Sequence, residues 1–207
     1  MKNAEILSDV ERYYTNKVRT HGASPRGVDW NSEEGQHLRF KALSSFLPAA
    51  GFSIIDLGCG YGSYLDYLSK NHGDFRYTGV DISSEMIDRA LELHGDREDA
   101  RFIKGAASEE KADFVVASGI FNVKQGTSDA DWKRYIDDCI ARMDSDSTHG
   151  FAFNCLTSYS DEHRKQPHLY YMQPESLFTQ CMRYSSNLTL AHGYGLYEMT
   201  MLVRKGA

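Results

Sequence analysis

Prolines are scarce in this chain, four among 207 residues, at positions 25, 48, 167 and 174. Proline-rich linkers and collagen-like repeats are therefore excluded, and each proline reads as an element boundary. Cysteines are equally few, at 59, 139, 155 and 181, widely spaced and with no C-x-x-C pair. That pattern fits neither a zinc ribbon nor a disulfide framework, and reduced cysteines packed as small hydrophobes are the plain reading. No apolar run approaches the ~18 residues of a membrane span. Lys2, Glu5 and Asp9 interrupt the first ten residues, so the apolar heart of a signal peptide is missing there and a cytoplasmic protein is expected. No Lys/Arg-rich run occurs, and the net charge is -6. Nucleic acid is thus not expected as a partner, and neither is a membrane.

What is present is an ordinary globular composition, 41% apolar and 25% charged. The length suits one domain with its own core. Residues 1–35 read as an N-terminal helical segment with a breaker-rich loop at 21–31, and 36–207 as the core. Asn31 with Glu34 has the chemistry of a helix start, and Phe40, Leu43 and Leu47 repeat at helical spacing up to Pro48. From residue 53 strands and helices alternate. Strands are expected at 53–57, 77–80, 101–104, 114–118 and 150–155, with helices at 63–70, 83–93, 130–143 and from Pro174. The helix at 130–143 carries Trp132, Tyr135, Ile136, Cys139, Ile140 and Met143 on one stripe. Residues 187–191 and 196–204 make a closing hairpin. Alternation of this kind dictates a parallel sheet covered on both faces and wound doubly by right-handed crossovers. Ligands of such sheets bind at the carboxyl ends of the strands.

The chemistry concentrates in Asp56-Leu57-Gly58-Cys59-Gly60-Tyr61-Gly62, which leaves a strand and opens a helix. Glycines there permit a sharp turn and let a ligand lie against bare backbone. Asp81, nineteen residues after Gly62, ends the next strand, where a carboxylate accepts hydrogen bonds from both ribose hydroxyls of an adenosine, with Ile82 beside the adenine. A dinucleotide loop reads G-x-G-x-x-G, and here the third glycine arrives one residue early. Asp56 is unwelcome to a diphosphate and suited to a cationic ligand. No Gly-Lys-Ser/Thr follows, so a Walker A loop is absent. A glycine turn without a ligand is the competing reading, and the flanking strand, the helix and Asp81 weigh against it.

Residues 54–62 and Val80-Asp81-Ile82-Ser83-Ser84-Glu85-Met86 together resemble the first two motifs of the class I S-adenosylmethionine (SAM)-dependent methyltransferases. The resemblance implies a Rossmann-like, doubly wound, seven-stranded, mostly parallel α/β sheet ending in an antiparallel hairpin, with SAM as cofactor. It places Asp56 and Gly58 beside the methionyl end, Asp81 on the ribose and Ile82 along the adenine, with Cys59, Gly60 and Met86 also in the cofactor-binding set. Tyr14, Trp30, Arg39, Ala106, Ala107 and Ser118 complete the expected cofactor set, with Arg39 a candidate partner of the methionyl carboxylate. The family often carries an acidic residue after strand three to meet the adenine amine. Here that segment is Lys104-Gly105-Ala106-Ala107, which leaves the task to backbone or to Ser108 or Glu109.

Strand four ends Ser118-Gly119-Ile120-Phe121-Asn122, without the Asn/Asp-Pro-Pro-aromatic motif of base N-methyltransferases, and no Pro-Cys pair serves base C5 chemistry. Asp137-Asp138 lie opposite the apolar stripe of their helix, a solvated face and not a metal site. The expected activity is methyl transfer to an oxygen or nitrogen of a small-molecule acceptor. The alternatives are other chemistry on the same fold or a noncatalytic SAM-binding subunit. Segments 11–30, 156–172 and 192–197, rich in aromatics, are expected to wall the acceptor pocket. His21 and His168 are the candidate general bases, although for any single histidine a surface position is the plainer reading.

Overall fold

The computed structural model describes residues 2–206. Its seven strands form one sheet in the order β3-β2-β1-β4-β5-β7-β6. β1 (Ala50–Leu57), β2 (Gly73–Asp81), β3 (Ala100–Lys104), β4 (Ala112–Ser118) and β5 (Ser147–Leu156) run parallel. β7 (Glu198–Arg204) is antiparallel to β5 and to β6 (Asn187–Ala191). The winding reverses between β1 and β4, and the seven-stranded, doubly wound sheet expected from the alternation is what forms.

The expected strands came out short at their amino ends. β1 begins at Ala50 and β2 at Gly73, where the exposed Ala50 and Gly73 pair in register without an apolar pattern to announce them. The helix start expected at Asn31 falls one residue later: Ser32 accepts from the Gly35 amide, and α2 covers Glu33–Ser44.

Two apolar layers flank the sheet. One packs Phe40 and Leu43 of α2 and Tyr64, Leu65 and Leu68 of α3 (Ser63–Asn71) on Phe52, Ile54 and Val116, with Ile87 of α4 (Ser84–His94). The other packs Trp132, Ile136, Ile140 and Met143 of α5 (Asp129–Asp146) and Leu177 of α6 (Pro174–Cys181) on Ile55, Val115 and Phe153. Trp132 is fully buried, and its indole N–H donates to the Phe121 carbonyl at 2.9 Å, which satisfies its one polar atom.

The second layer has a gap in its connectivity. Residues 105–111 link β3 to β4 without a helix, although such a crossover ordinarily carries one. The N-terminal helix α1 (Lys2–His21) fills that place. Its Ile6 and Val10 are buried in the same cluster as Ile55, Leu57 and Val80. Polar contacts fix it on both sides. Thr15 bonds Ser83 at 2.8 Å and Arg19 pairs with Glu85 on α4, while Asn3 donates to Asp138 of α5 at 3.2 Å. A short 3-10 turn, Pro25–Val28, then returns the chain toward α2, held by Tyr13 and Lys17, which both donate to Asp29.

Candidate active site

Local geometry at the end of β1 follows from the glycines. Gly58 has φ 72°, and a Cβ there would stand 2.3 Å from the Ile120 side chain, so only glycine lets the loop after β4 close on the loop after β1. Asp81 organises the same turn. Its Oδ2 accepts from the Gly60 amide and its Oδ1 from the Ser83 amide, both at 2.9 Å. Burial pushes the Asp81 carboxyl up to about 6 against the lowering effect of those two amides, so it is mostly ionised at pH 7.

These loops and α1 enclose a cavity with about 870 Å3 of empty space, part of it open to solvent. Gly58, Gly60, Val80, Asp81, Ile82 and Met86 form its floor, with Gly105, Ala106, Ser118 and Ile120 from the loops after β3 and β4. Leu7, Val10, Tyr14, Val28 and Trp30 form the roof, and Tyr135, Cys139 and Arg142 of α5 the far wall. A mostly apolar lining with a few polar groups is that of a small-molecule site.

The donor and acceptor inventory suits an adenosine. A carboxylate has about four lone-pair sites. Two on Asp81 are filled by backbone amides, which leaves acceptors for a vicinal diol. Beside it Gly58 lines the cavity, with the Ile120 side chain lying where a Cβ would be. Tyr14, Trp30, Gly58, Gly60, Asp81, Ile82, Met86, Ala106 and Ser118 of the expected cofactor set therefore lie together.

Four others do not line the cavity. Asp56, 2% exposed, lies in the strand with its side chain in register with Ile54, facing the α2/α3 layer, and accepts from the Tyr77 hydroxyl at 2.7 Å. Burial raises its carboxyl to about 7. Cys59 is buried under the turn against Gly79, and Ala107 is not among the residues that line the cavity. Arg39, expected at a methionyl carboxylate, is committed to Glu198: its Nε and Nη2 donate to that carboxylate at 2.8 and 2.6 Å. The pair is buried, 11% and 1% exposed, and the Arg39 guanidinium lies 3.8 Å from the centre of the Trp30 ring. Trp30 is thereby a partition. One face lines the cavity, Arg39 covers the other, and the ring rests on Gly119, where a Cβ would come within 2.5 Å.

The histidines fare likewise. His21 is exposed at the end of α1, and His168 uses its backbone carbonyl to bind the Lys124 and Gln125 amides; neither reaches the cavity. Segments 156–172 and 192–197 supply no lining residue and pack on each other, with His192 bonded to Thr157 at 3.2 Å and Tyr197 to Asp161. Ser108 and Glu109 also miss the adenine end. The Ser108 hydroxyl accepts from the Glu110 amide, and Glu109 is exposed. Among the described residues no cluster of His, Cys, Asp and Glu has metal-binding geometry, and no helix is long and apolar enough to cross a membrane.

Sequence reasoning missed Leu7, Val10, Ile120, Tyr135, Cys139 and Arg142. A signal existed for the last three. The apolar stripe of α5 is two ridges wide: Trp132, Ile136, Ile140 and Met143 take the sheet, so the ridge at 135, 139 and 142 is left to face something else.

Comparison with known proteins places this site. The methyltransferase-domain family matches residues 55–146. The Mycobacterium tuberculosis protein Rv1506c, which carries the name of a methyltransferase, is 47% identical over 157 residues, covering 75% of this chain and 95% of that protein. Among solved structures, the magnesium protoporphyrin IX methyltransferase ChlM of Synechocystis with bound SAM superposes with a TM-score of 0.70 at 13% identity, covering 96% of each chain. The DhpI-SAM-HEP complex gives 0.69 at 14% identity, covering 97% of this chain and 98% of that one. The N-methyltransferase NodS of Bradyrhizobium japonicum gives 0.65 at 14%, covering 95% and 98%. At those identities the structures speak for the fold alone, whereas the mycobacterial relative speaks for the family: this chain belongs to the class I SAM-dependent methyltransferases.

Proposed function

We propose that the protein transfers the methyl group of SAM to an oxygen or nitrogen atom of a small organic acceptor. The roofed, largely apolar cavity at the switch point of the sheet carries this reading. A protein or nucleic-acid acceptor needs an open groove, and here α1 and Trp30 lie over the loops that hold the cofactor set.

In this reading Asp81 accepts from both ribose hydroxyls, Ile82 and Met86 lie along the base, and the glycine turn at Gly58 and Gly60 receives the methionyl end. Ser118 stands at the end of β4 beside the acceptor. Its hydroxyl accepts from Asn154 Nδ2 at 3.3 Å, while the buried Asn154 Oδ1 has no partner among the described residues. SAM supplies an electrophilic methyl on a cationic sulfur. The chain's part is to hold the nucleophile near ~3 Å in line with it and to exclude water. Tyr14, Val28 and Trp30 do the excluding. With His21 and His168 away from the cavity, proximity and desolvation are what the chain supplies, and a histidine base is not part of the reading. Residues 1–35 act as the cover of the site and 36–207 as the catalytic core.

Isothermal calorimetry with SAM, S-adenosylhomocysteine (SAH), NAD and ATP tests the cofactor. Binding of the first two alone is expected, and NAD binding without a response to SAH would sink the proposal. Acceptors are then screened by SAH release, with small phenols, acids and amines expected to work and oligonucleotides to fail.

A further inference from the structure

At the end of the cavity under β3 stands a group of the opposite character from the acid that the motif resemblance led one to expect. Arg142 lies on the cavity ridge of α5, one turn beyond Cys139 and near Gly105 and Ala106 of the β3 loop. Its Nε donates to Asp146 Oδ2 at 2.5 Å and its Nη2 to the Ser108 carbonyl at 2.7 Å. Those bonds tie the planar fork to Asp146 on its own helix and to the chain that leaves β3, and they orient a side chain that is otherwise half exposed. Its Nη1 has no hydrogen-bond partner among the described residues. Arg142 is the one cation among the residues lining the cavity. The one carboxylate there, Asp81, belongs to the ribose and is half occupied by amides.

We infer that Arg142 is the specificity-determining residue for the base of the cofactor, and that it reads the 6-substituted edge of the purine as a hydrogen-bond acceptor. The inference rests on the SAM reading above and adds to it. A carboxylate at this end of the site requires a donor, the exocyclic amine of adenine. A guanidinium is donor-only. It requires an acceptor, which the ring nitrogens flanking position 6 provide, and which an oxygen at position 6 provides as well. Ser108, whose carbonyl is taken by Arg142, and the exposed Glu109 do not restore a carboxylate. Binding therefore does not depend on the amine, and a 6-oxo purine is tolerated.

The test measures affinity, not turnover: calorimetry of SAH and S-inosylhomocysteine against the wild type, Arg142→Leu and Arg142→Lys. A site built around the amine rejects an analogue lacking it by about 10,000-fold. Here the wild type is expected to hold the two ligands within about tenfold of each other. Arg142→Leu is expected to weaken the inosyl ligand at least about tenfold more than SAH, and Arg142→Lys to fall between. Rejection of the inosyl ligand by the wild type beyond about 100-fold, or an unchanged ratio in both variants, overturns the inference. Because Arg142 also ties α5 to the β3 loop, Arg142→Leu has the greater chance of failing to fold; the wild-type ratio and the lysine variant then decide alone. A wild type that binds neither ligand overturns the SAM reading itself, while SAH binding with the wrong ratio overturns only the role of Arg142.

Discussion

The two halves of the carboxyl edge of this sheet differ in residue types and do different work. Around β3, β2, β1 and β4 the loops turn sharply on glycine and leave a cavity under α1. Around β5, β7 and β6 the loops are longer and richer in tyrosine and histidine, yet they close on one another through His192 and Thr157, Tyr197 and Asp161, and Tyr159 and Glu175. Polar aromatics promise a site only where their hydroxyls and ring nitrogens lack protein partners, and on this side Tyr159, Tyr171, His192, Tyr194 and Tyr197 have them. The halves meet at Trp30, backed by the buried Arg39–Glu198 pair.

Breaking that junction should give the largest effect. Glu198→Ala leaves the Arg39 charge buried and unpaired, and a stability loss of about 3–5 kcal/mol is expected in denaturant melts. Arg39→Met/Glu198→Met should recover most of it, since paired replacement of a buried ion pair is often near neutral. On the cavity side, Asp81→Ala should weaken SAH by about 1–3 kcal/mol in calorimetry, while Glu198 variants that fold should move SAH affinity less.

Acidity separates two carboxylates of the cavity half. Asp81 must be ionised to accept two hydroxyls, so SAH affinity should be flat above pH 7 and weaken as pH falls through about 6. Asp56 acts on stability instead. Its folded carboxyl holds a proton up to about 7, whereas the unfolded one releases it near its ordinary value of 3.8. Between those values the native state binds more protons, so this residue makes stability fall as pH rises from about 4 to 7. Asp56→Asn should remove that decline and stabilise the protein by about 1–3 kcal/mol at pH 8 with little effect at pH 4. Smallest of all, His21→Gln and His168→Gln should leave SAH affinity, and SAH formation with any working acceptor, within about twofold of wild type. A strong loss in His168→Gln would move the acceptor site toward the far half.

Legibility followed the range of the interactions. The double winding, the hairpin and the glycine loop were readable because β1, its turn and Asp81 are set by residues near in sequence or by topological rules that admit few exceptions. Asp81 and Ile82 were placed by their offset from the loop. Asp56 was misplaced because a motif letter does not show which face a side chain takes, whereas its parity with Ile54 does. Arg39 was misread because its partner is 159 residues away. The roof and far wall were unreadable for the same reason: Leu7 and Val10 meet Tyr135 and Cys139 only in three dimensions.

The position of α1 imposes an order on assembly. A crossover helix between β3 and β4 would be made between the strands it covers and could dock as they pair. Here the covering helix leaves the ribosome before the residues of β1, β4 and α5 that Ile6 and Val10 pack against. Its apolar face must wait, exposed, until some 140 further residues have been added, roughly ten seconds at ~15 residues per second. The contacts that close the roof are thus among the most distant in the chain and, by the entropy of closing so long a loop, among the last to form.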